Sequence, residues 1–291
     1  MVSSSLTVMT WNMWFDKKNR AQRTETLLNE VRCYDPDILA LQEVVPESLE
    51  IIIAKMKPTY YVIGVNPSGF PTGYDTLILS KFPPIEWDRY YLPKTKMRRN
   101  LLLATLQTPS RQITVGTFHL ESIFNRCNNT AEELKESQLK YIYAISPLNS
   151  ILMGDTNLTP NDEPRSSPNM IDLGAEDIEF QESDVHSASL PDVHSASLPD
   201  VNSAFLPDVH NLGVCPFFKG AGGSPFSKGA GATATYCGRT NKHVKNKSIQ
   251  SRLDRIYVKI KRNSLKVHFY GLTGTFTQPS DHFGVFAQIE F

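Results

Sequence analysis

The run Ile38-Leu39-Ala40-Leu41 carries no polar side chain. A strand of that composition suits burial on both faces, so the chain is expected to build a sheet that is covered on each side. Pro36, in Asp35-Pro36-Asp37, punctuates one end of the run, and Glu43 follows just past the other. Ser150 to Met153 reads as another apolar strand and ends in Gly154-Asp155. Leu6 to Trp11 is β-branched and aromatic with partial alternation, and Asn12 sits at its end.

Periodicity places helices around these strands. Ala21, Thr24, Leu27, Leu28 and Val31 recur at helical spacing within 18–34, and a second helix is predicted over 46–57. Thr130-Ala131-Glu132-Glu133 is a capping box, with the stripe Leu134, Gln138, Tyr141, Ile142 and Ile145 behind it. Short strands are predicted near 59–65, 74–80, 85–91, 100–107, 111–118, 252–258, 265–271 and 283–290. Strands alternate with helices, then meander, then alternate again. That order predicts an α/β fold of two packed mixed sheets with helices outside, in one domain over 1–291.

One segment departs from this pattern. Asp184-Val185-His186-Ser187-Ala188-Ser189-Leu190-Pro191 is repeated at 192–199 and, with two changes, at 200–207; a fourth copy starts at Asp208. A second tandem begins at Pro216 and again at Pro225. Units this short cannot bury a face of their own, so 180–235 is expected to be an expanded surface loop. Duplication accounts for the spacing of His186, His194 and His210 without a metal.

Lys+Arg and Asp+Glu are equal at 30 each, so any basic surface that grips nucleic acid must be local. Two stretches qualify: Lys94, Lys96, Arg98 and Arg99, and the segment from Arg239 to Arg255 that includes Arg252. The four cysteines lack any Cys-x-x-Cys pair and are expected to be reduced thiols. No basic-then-apolar leader opens the chain, and no apolar run approaches the roughly 20 residues that span a bilayer. The expectation is a soluble nuclear or cytoplasmic monomer with no membrane partner.

Five polar clusters stand at the ends of apolar runs: Thr10-Trp11-Asn12, Leu41-Gln42-Glu43, His119-Leu120-Glu121-Ser122 and Gly154-Asp155-Thr156-Asn157 close one, and Ser280-Asp281-His282 lies just before the last predicted strand. Strand ends are where a rigid scaffold presents chemistry. A carboxylate after a buried strand is costly unless compensated. Glu43 is therefore the leading metal ligand, with Asp281 as partner and Asp155 beside them, for Mg2+ (or Mn2+). Asp155 is suited to orient and deprotonate a water. Asn12 and Asn157 are neutral donors for phosphate oxygens, His282 a donor to developing phosphoryl charge, and Asp254 its orienting acceptor. His119 is expected to contact phosphate.

These clusters resemble the motifs of the endonuclease/exonuclease/phosphatase superfamily. More specific marks are Lys96-Met97-Arg98-Arg99-Asn100-Leu101-Leu102, Phe118-His119-Leu120-Glu121-Ser122 and Arg252-Leu253-Asp254-Arg255-Ile256-Tyr257. The resemblance implies a four-layer α/β/β/α sandwich, Mg2+ or Mn2+ dependence, and substrate contacts from Arg98, Arg99, Ser122 and Arg252. The implied reaction hydrolyses the bond between a topoisomerase tyrosine and a DNA 5′-phosphate, a DNA-repair step whose partners are protein-linked DNA ends. Tyrosine's phenol has a pKa near 10, so phenolate leaves without a strong general acid. Two departures bear on how the DNA end is gripped. The family's Arg after His-Leu-Glu-Ser is replaced by Ile123-Phe124-Asn125, and its Trp is missing from Thr235-Tyr236-Cys237-Gly238. An N-terminal ubiquitin-binding region, carried by some relatives, is expected to be absent. Rival readings are another nuclease or phosphatase of the superfamily and an inactive nucleic-acid-binding scaffold.

Overall fold

In the computed structural model, residues 5–66, 73–122, 130–158, 169–174, 234–260 and 265–290 are described. Strand β1 (Leu6–Asn12) lies parallel to β2 (Ile38–Val44), with Val8 opposite Ile38 and Asn12 opposite Gln42. A parallel pair needs a long crossover, and α1 (Arg20–Tyr34) supplies it. Asp35 closes α1 in the left-handed conformation, its N–H on Val31 O, and Pro36 prevents continuation. Helix α2 (Pro46–Met56) opens on a proline, tolerated at a helix start where its missing N–H is not needed. Next come β3 (Tyr61–Ile63), β4 (Asp75–Ser80), β5 (Pro84–Tyr91), β6 (Asn100–Gln107) and β7 (Gln112–His119). Helix α3 (Thr130–Ile145) then crosses over to β8 (Ser150–Asp155), which lies parallel to β7. The chain continues through β9 (Met170–Asp172), β10 (Tyr236–Cys237), β11 (Gln250–Ser251), β12 (Asp254–Lys259), β13 (Lys266–Thr273) and β14 (Gly284–Glu290).

Two six-stranded sheets result, ordered β13-β14-β1-β2-β4-β3 and β5-β6-β7-β8-β12-β9, with β10 and β11 as a separate pair. Alternation along each strand sorts the layers. Ile38 and Ala40 face the space between the sheets, with Ile151, Met153 and Val285. Leu39 and Leu41 face the other way, onto Leu27, Leu28 and Val31 of α1 and Ile52 and Met56 of α2. Leu152 and Phe118 pack against Leu139 and Ile142 of α3. The layer order is α/β/β/α, as the sequence implied.

Three short strands escape the sequence reading. β9, β10 and β11 span two or three residues each, too few to show a period. The tandem repeats, the departure at 123–126, the Thr130 side chain of the expected capping box, Cys127 and Cys215 lie outside the described residues. Cys33 and Cys237 are not in disulfides. Among the described residues no helix is long and apolar enough to cross a membrane.

The topology gathers chemistry at one edge. The parallel pairs β1/β2 and β7/β8 end there, and their antiparallel neighbours begin there. Asp254 opens β12 directly opposite Asp155, and Asp75 opens β4 opposite Val44. Gln42 Nε2 donates to both Thr10 Oγ1 and Thr117 Oγ1 at 3.0 Å, tying the two sheets together at this edge.

Candidate active site

Asp155 sits at the centre, 1% exposed at the end of β8. Its Oδ1 accepts the Asn157 backbone N–H at 2.8 Å, and its Oδ2 accepts Asn12 Nδ2 at 2.9 Å. His119 Nε2 lies 3.3 Å from that same Oδ2, and His282 Nε2 lies 3.9 Å from it. Burial alone would raise the Asp155 pKa, but the two imidazoles and these donors hold it below the usual carboxylate range. A carboxylate kept ionised inside a protein is a base with its lone pairs directed.

The two histidines differ in charge. Arg99 Nη1 is 2.6 Å from His119 Nδ1. A guanidinium only donates, so Nδ1 is the acceptor and the ring proton is on Nε2, facing Asp155. Burial and the Arg99 cation keep His119 well below its ordinary value, hence neutral. His282 Nδ1 pairs with Asp254 Oδ2 at 2.8 Å. Burial disfavours its charge, yet Asp254 and Asp155 lift it well above the usual imidazole range, so it is an imidazolium. One ring is a fixed neutral donor and the other carries a positive charge.

Glu43 does not simply follow its strand. It lies within β2 at a bulge, where Leu41 pairs with Leu77 but Val44 pairs with Asp75, and its φ is +58°. The extra residue re-aims the side chain toward the shared edge. Glu43 Oε2 accepts Phe15 N–H at 2.9 Å, and Oε1 is 4.0 Å from His119 Nε2. Burial, aided by Asp281 and Asp155, pushes Glu43 up; burial, aided by Asp155 and Asp254, does the same to Asp281. Clustered carboxylates raised in this way could serve a hard cation, which takes oxygen ligands and relieves the repulsion. Asp155, Asp254 and His282 also place ligand atoms within 4.8 Å of one another. His282 Nδ1 is already engaged by Asp254, which leaves the carboxylates of Glu43, Asp281 and Asp155 as the oxygen donors that could take a cation.

The remaining expected residues fall in three places. Arg98 is exposed at the rim with φ +57°, in a recess shared with Glu43, Tyr74 and His119. Arg99 is buried, its Nη2 on Ser122 Oγ at 3.2 Å and its guanidinium 5.5 Å from the Tyr74 ring centre. Both Arg99 and Ser122 therefore act on His119 and its surroundings. Arg252 grips Asp172 with two bonds of 2.8 and 2.7 Å, so its guanidinium is taken up at the β9 side of β12. Asn157 donates Nδ2 to Leu120 O at 3.1 Å and so shapes the loop below Asp155.

Several residues at this edge were given no role from the sequence. Glu121 accepts from Thr95 Oγ1 and from the backbone N–H groups of Lys96 and Met97, which sets the segment that delivers Arg98 and Arg99. Thr235 Oγ1 accepts the N–H groups of Leu253 and Asp254, while its carbonyl accepts Phe283 N–H at 2.7 Å. Arg23, 7% exposed on α1, donates to Met13, Trp14, Asp16, Lys18 and Pro279 carbonyls. A helical arginine reads as a solvated face, and only the tertiary fold reveals this clamp.

Comparison with known proteins bears on the family and the fold. The Endonuclease/Exonuclease/phosphatase family profile matches residues 9–282. The chain is 30% identical over 156 residues to tyrosyl-DNA phosphodiesterase 2 of Danio rerio, covering 53% of this chain and 42% of that protein. It is 30% identical over 159 residues to the Homo sapiens protein of that name, covering 53% and 42%. The match thus spans less than half the length of these curated relatives. Among solved structures, D. rerio TDP2 complexed with single-strand DNA product superposes with a TM-score of 0.70 at 19% identity, covering 99% of this chain and 100% of that one. TDP2 from C. elegans gives 0.68 at 19% identity, covering 99% and 76%. At that identity the structural likeness shows the fold.

Proposed function

The chain belongs to the endonuclease/exonuclease/phosphatase family, and from that membership we propose that it hydrolyses phosphodiesters with an aryl leaving group. The substrate class is DNA carrying a 5′-phosphotyrosyl or protein-linked end, of the kind left by a topoisomerase. The observation that carries this reading is Asp155: ionised and fixed by Asn12 and Asn157, between a neutral His119 and a charged His282. In the reaction Asp155 orients a water and accepts its proton as the water oxygen bonds to phosphorus. The bond from phosphorus to the aryl oxygen breaks, and the tyrosine departs as phenolate. His282, charged through Asp254, donates to the phosphoryl oxygens as their charge grows. His119 presents Nε2–H, with its tautomer set by Arg99. Glu43 and Asp281, with Asp155 beside them, would hold Mg2+ (or Mn2+), which when bound polarises a phosphoryl oxygen and lowers the pKa of a bound water. Arg98 at the rim offers a cation to the DNA backbone. On this reading the protein acts as a monomer in the nucleus or cytoplasm.

The test is a single oligonucleotide with a 5′-phosphotyrosyl end, assayed with Mg2+ beside abasic-site and 3′-tyrosyl controls. Cleavage of the first alone is expected. Preferential cleavage of the abasic duplex would move the chain to a different branch of the family, and binding without turnover would make it a scaffold.

A further inference from the structure

Phe15 is an exposed aromatic on a backbone held by hydrogen bonds with three side chains. The residue is 47% exposed. The carbonyls of Met13 and Trp14 accept from Arg23 at 3.0 and 3.1 Å, and that of Asp16 accepts from the same guanidinium at 2.6 Å. The Phe15 carbonyl accepts from Arg20 Nη2. Its amide is held by Glu43 Oε2 at 2.9 Å. Every backbone carbonyl from 13 to 16 is thus pinned, and the residue is fixed directly beside the carboxylate assigned to the cation. The ring lies flat on Tyr74, with centroids 5.3 Å apart and planes at 11°. Tyr74 in turn borders the recess that contains Glu43 and His119. A rigid apolar plane at the edge of a charged centre is suited to a second flat ring, since offset aromatic stacking adds to simple area burial. Preorganisation removes the ordering cost of such a contact.

We propose that Phe15 is a specificity-determining residue: with Tyr74 it forms a shelf for the planar aromatic group esterified to the 5′-phosphate, favouring aryl over alkyl phosphodiesters. The proposal rests on the phosphodiesterase reading above. A nucleobase would also stack on such a ring, but the shelf adjoins Glu43, the carboxylate assigned to the cation, and so lies beside the phosphoryl centre to which the leaving group is attached.

Phe15→Ala, Phe15→Leu and Phe15→Trp would be compared with the wild-type protein on a 5′-phosphotyrosyl oligonucleotide and on thymidine 5′-monophosphate p-nitrophenyl ester. Affinity for the 5′-phosphorylated product oligonucleotide would be measured by fluorescence anisotropy. An aromatic pair corresponds to about a fivefold effect, so Ala and Leu should each lose about that factor in kcat/KM on both aryl esters. Trp should retain the rate, and product affinity should be unchanged in all three. Equal weakening of product binding would assign the ring to a nucleobase and overturn the proposal. So would a Leu variant as fast as wild type, or an Ala variant unaffected on both esters. A wild-type protein that cleaves neither aryl ester overturns the phosphodiesterase reading and this proposal with it, whereas active wild type with an unaffected Ala variant removes the proposal alone.

Discussion

A carboxylate and an imidazole become chemically useful through the groups that fix their charge, and here each has a named partner. Asp155 is held below the ordinary carboxylate range although burial opposes it. Glu43 and Asp281 are pushed the other way, chiefly by burial. Opposite shifts mark different surroundings, and isosteric amides test whether the roles differ too. Glu43→Gln and Asp155→Asn should each lower kcat by roughly 10²- to 10⁴-fold, the range for single electrostatic or acid–base groups, with the fold retained by circular dichroism. Glu43→Gln should also shift the Mg2+ dependence to higher concentration, and Asp155→Asn should do so less. A loss under about tenfold at saturating Mg2+ removes that residue from the mechanism. At this scale the sequence was informative for residues in motifs and silent for their supports. Asn12, Glu43, His119 and Asp155 were legible because they close apolar runs, and Asp254, Asp281 and His282 because they stand just before such runs. The direction of Arg99, inward onto His119 rather than outward to a phosphate, depends on a fold that brings Tyr74 and Ser122 around it.

Elements place these residues through register, and register was only partly legible. The longer strands and all three helices show in the apolar periodicity because each buries a continuous face. The bulge in β2 does not, since a left-handed φ at Glu43 is imposed by pairing with β4 rather than by the residue itself. The start of β12 is another such case. Thr235 joins Leu253 and Asp254 to Phe283, and so fixes the distance between Asp254 and His282. Thr235 is fully buried, so Thr235→Val would leave those backbone N–H groups without an acceptor. The expected cost is about 1–3 kcal/mol of stability, read as a lower urea midpoint with an unchanged slope. A fall in kcat should accompany it. Thr235→Ser keeps the oxygen and should recover both. Recovery by Val instead would mean that side-chain shape alone matters there.

For the whole molecule, two sheets share one chemically active edge, and every residue assigned to chemistry lies at 12–15, 43, 74, 98–122, 155–157, 254 or 281–282. None falls in the tandem eight-residue repeats. Residues 184–191 and 192–199 are identical, which marks a duplication at a site that tolerates length. Loop closure depends weakly on length, each doubling costing only about 0.6 kcal/mol. The segments flanking the insertion are anchored independently of it. Met170–Asp172 pairs with β12 on one side, and on the other Thr235 is bonded to Leu253, Asp254 and Phe283. Removing two repeat units, 192–207, should therefore leave both anchors in place. The deletion variant should melt within a few degrees of the full chain, because a closure difference of that size moves Tm little for a protein this long. Its kcat on a 5′-phosphotyrosyl oligonucleotide should be nearly unchanged. Normal melting with a large fall in kcat would show that the repeats reach the DNA, and His186 and His194 would then be the first side chains to replace.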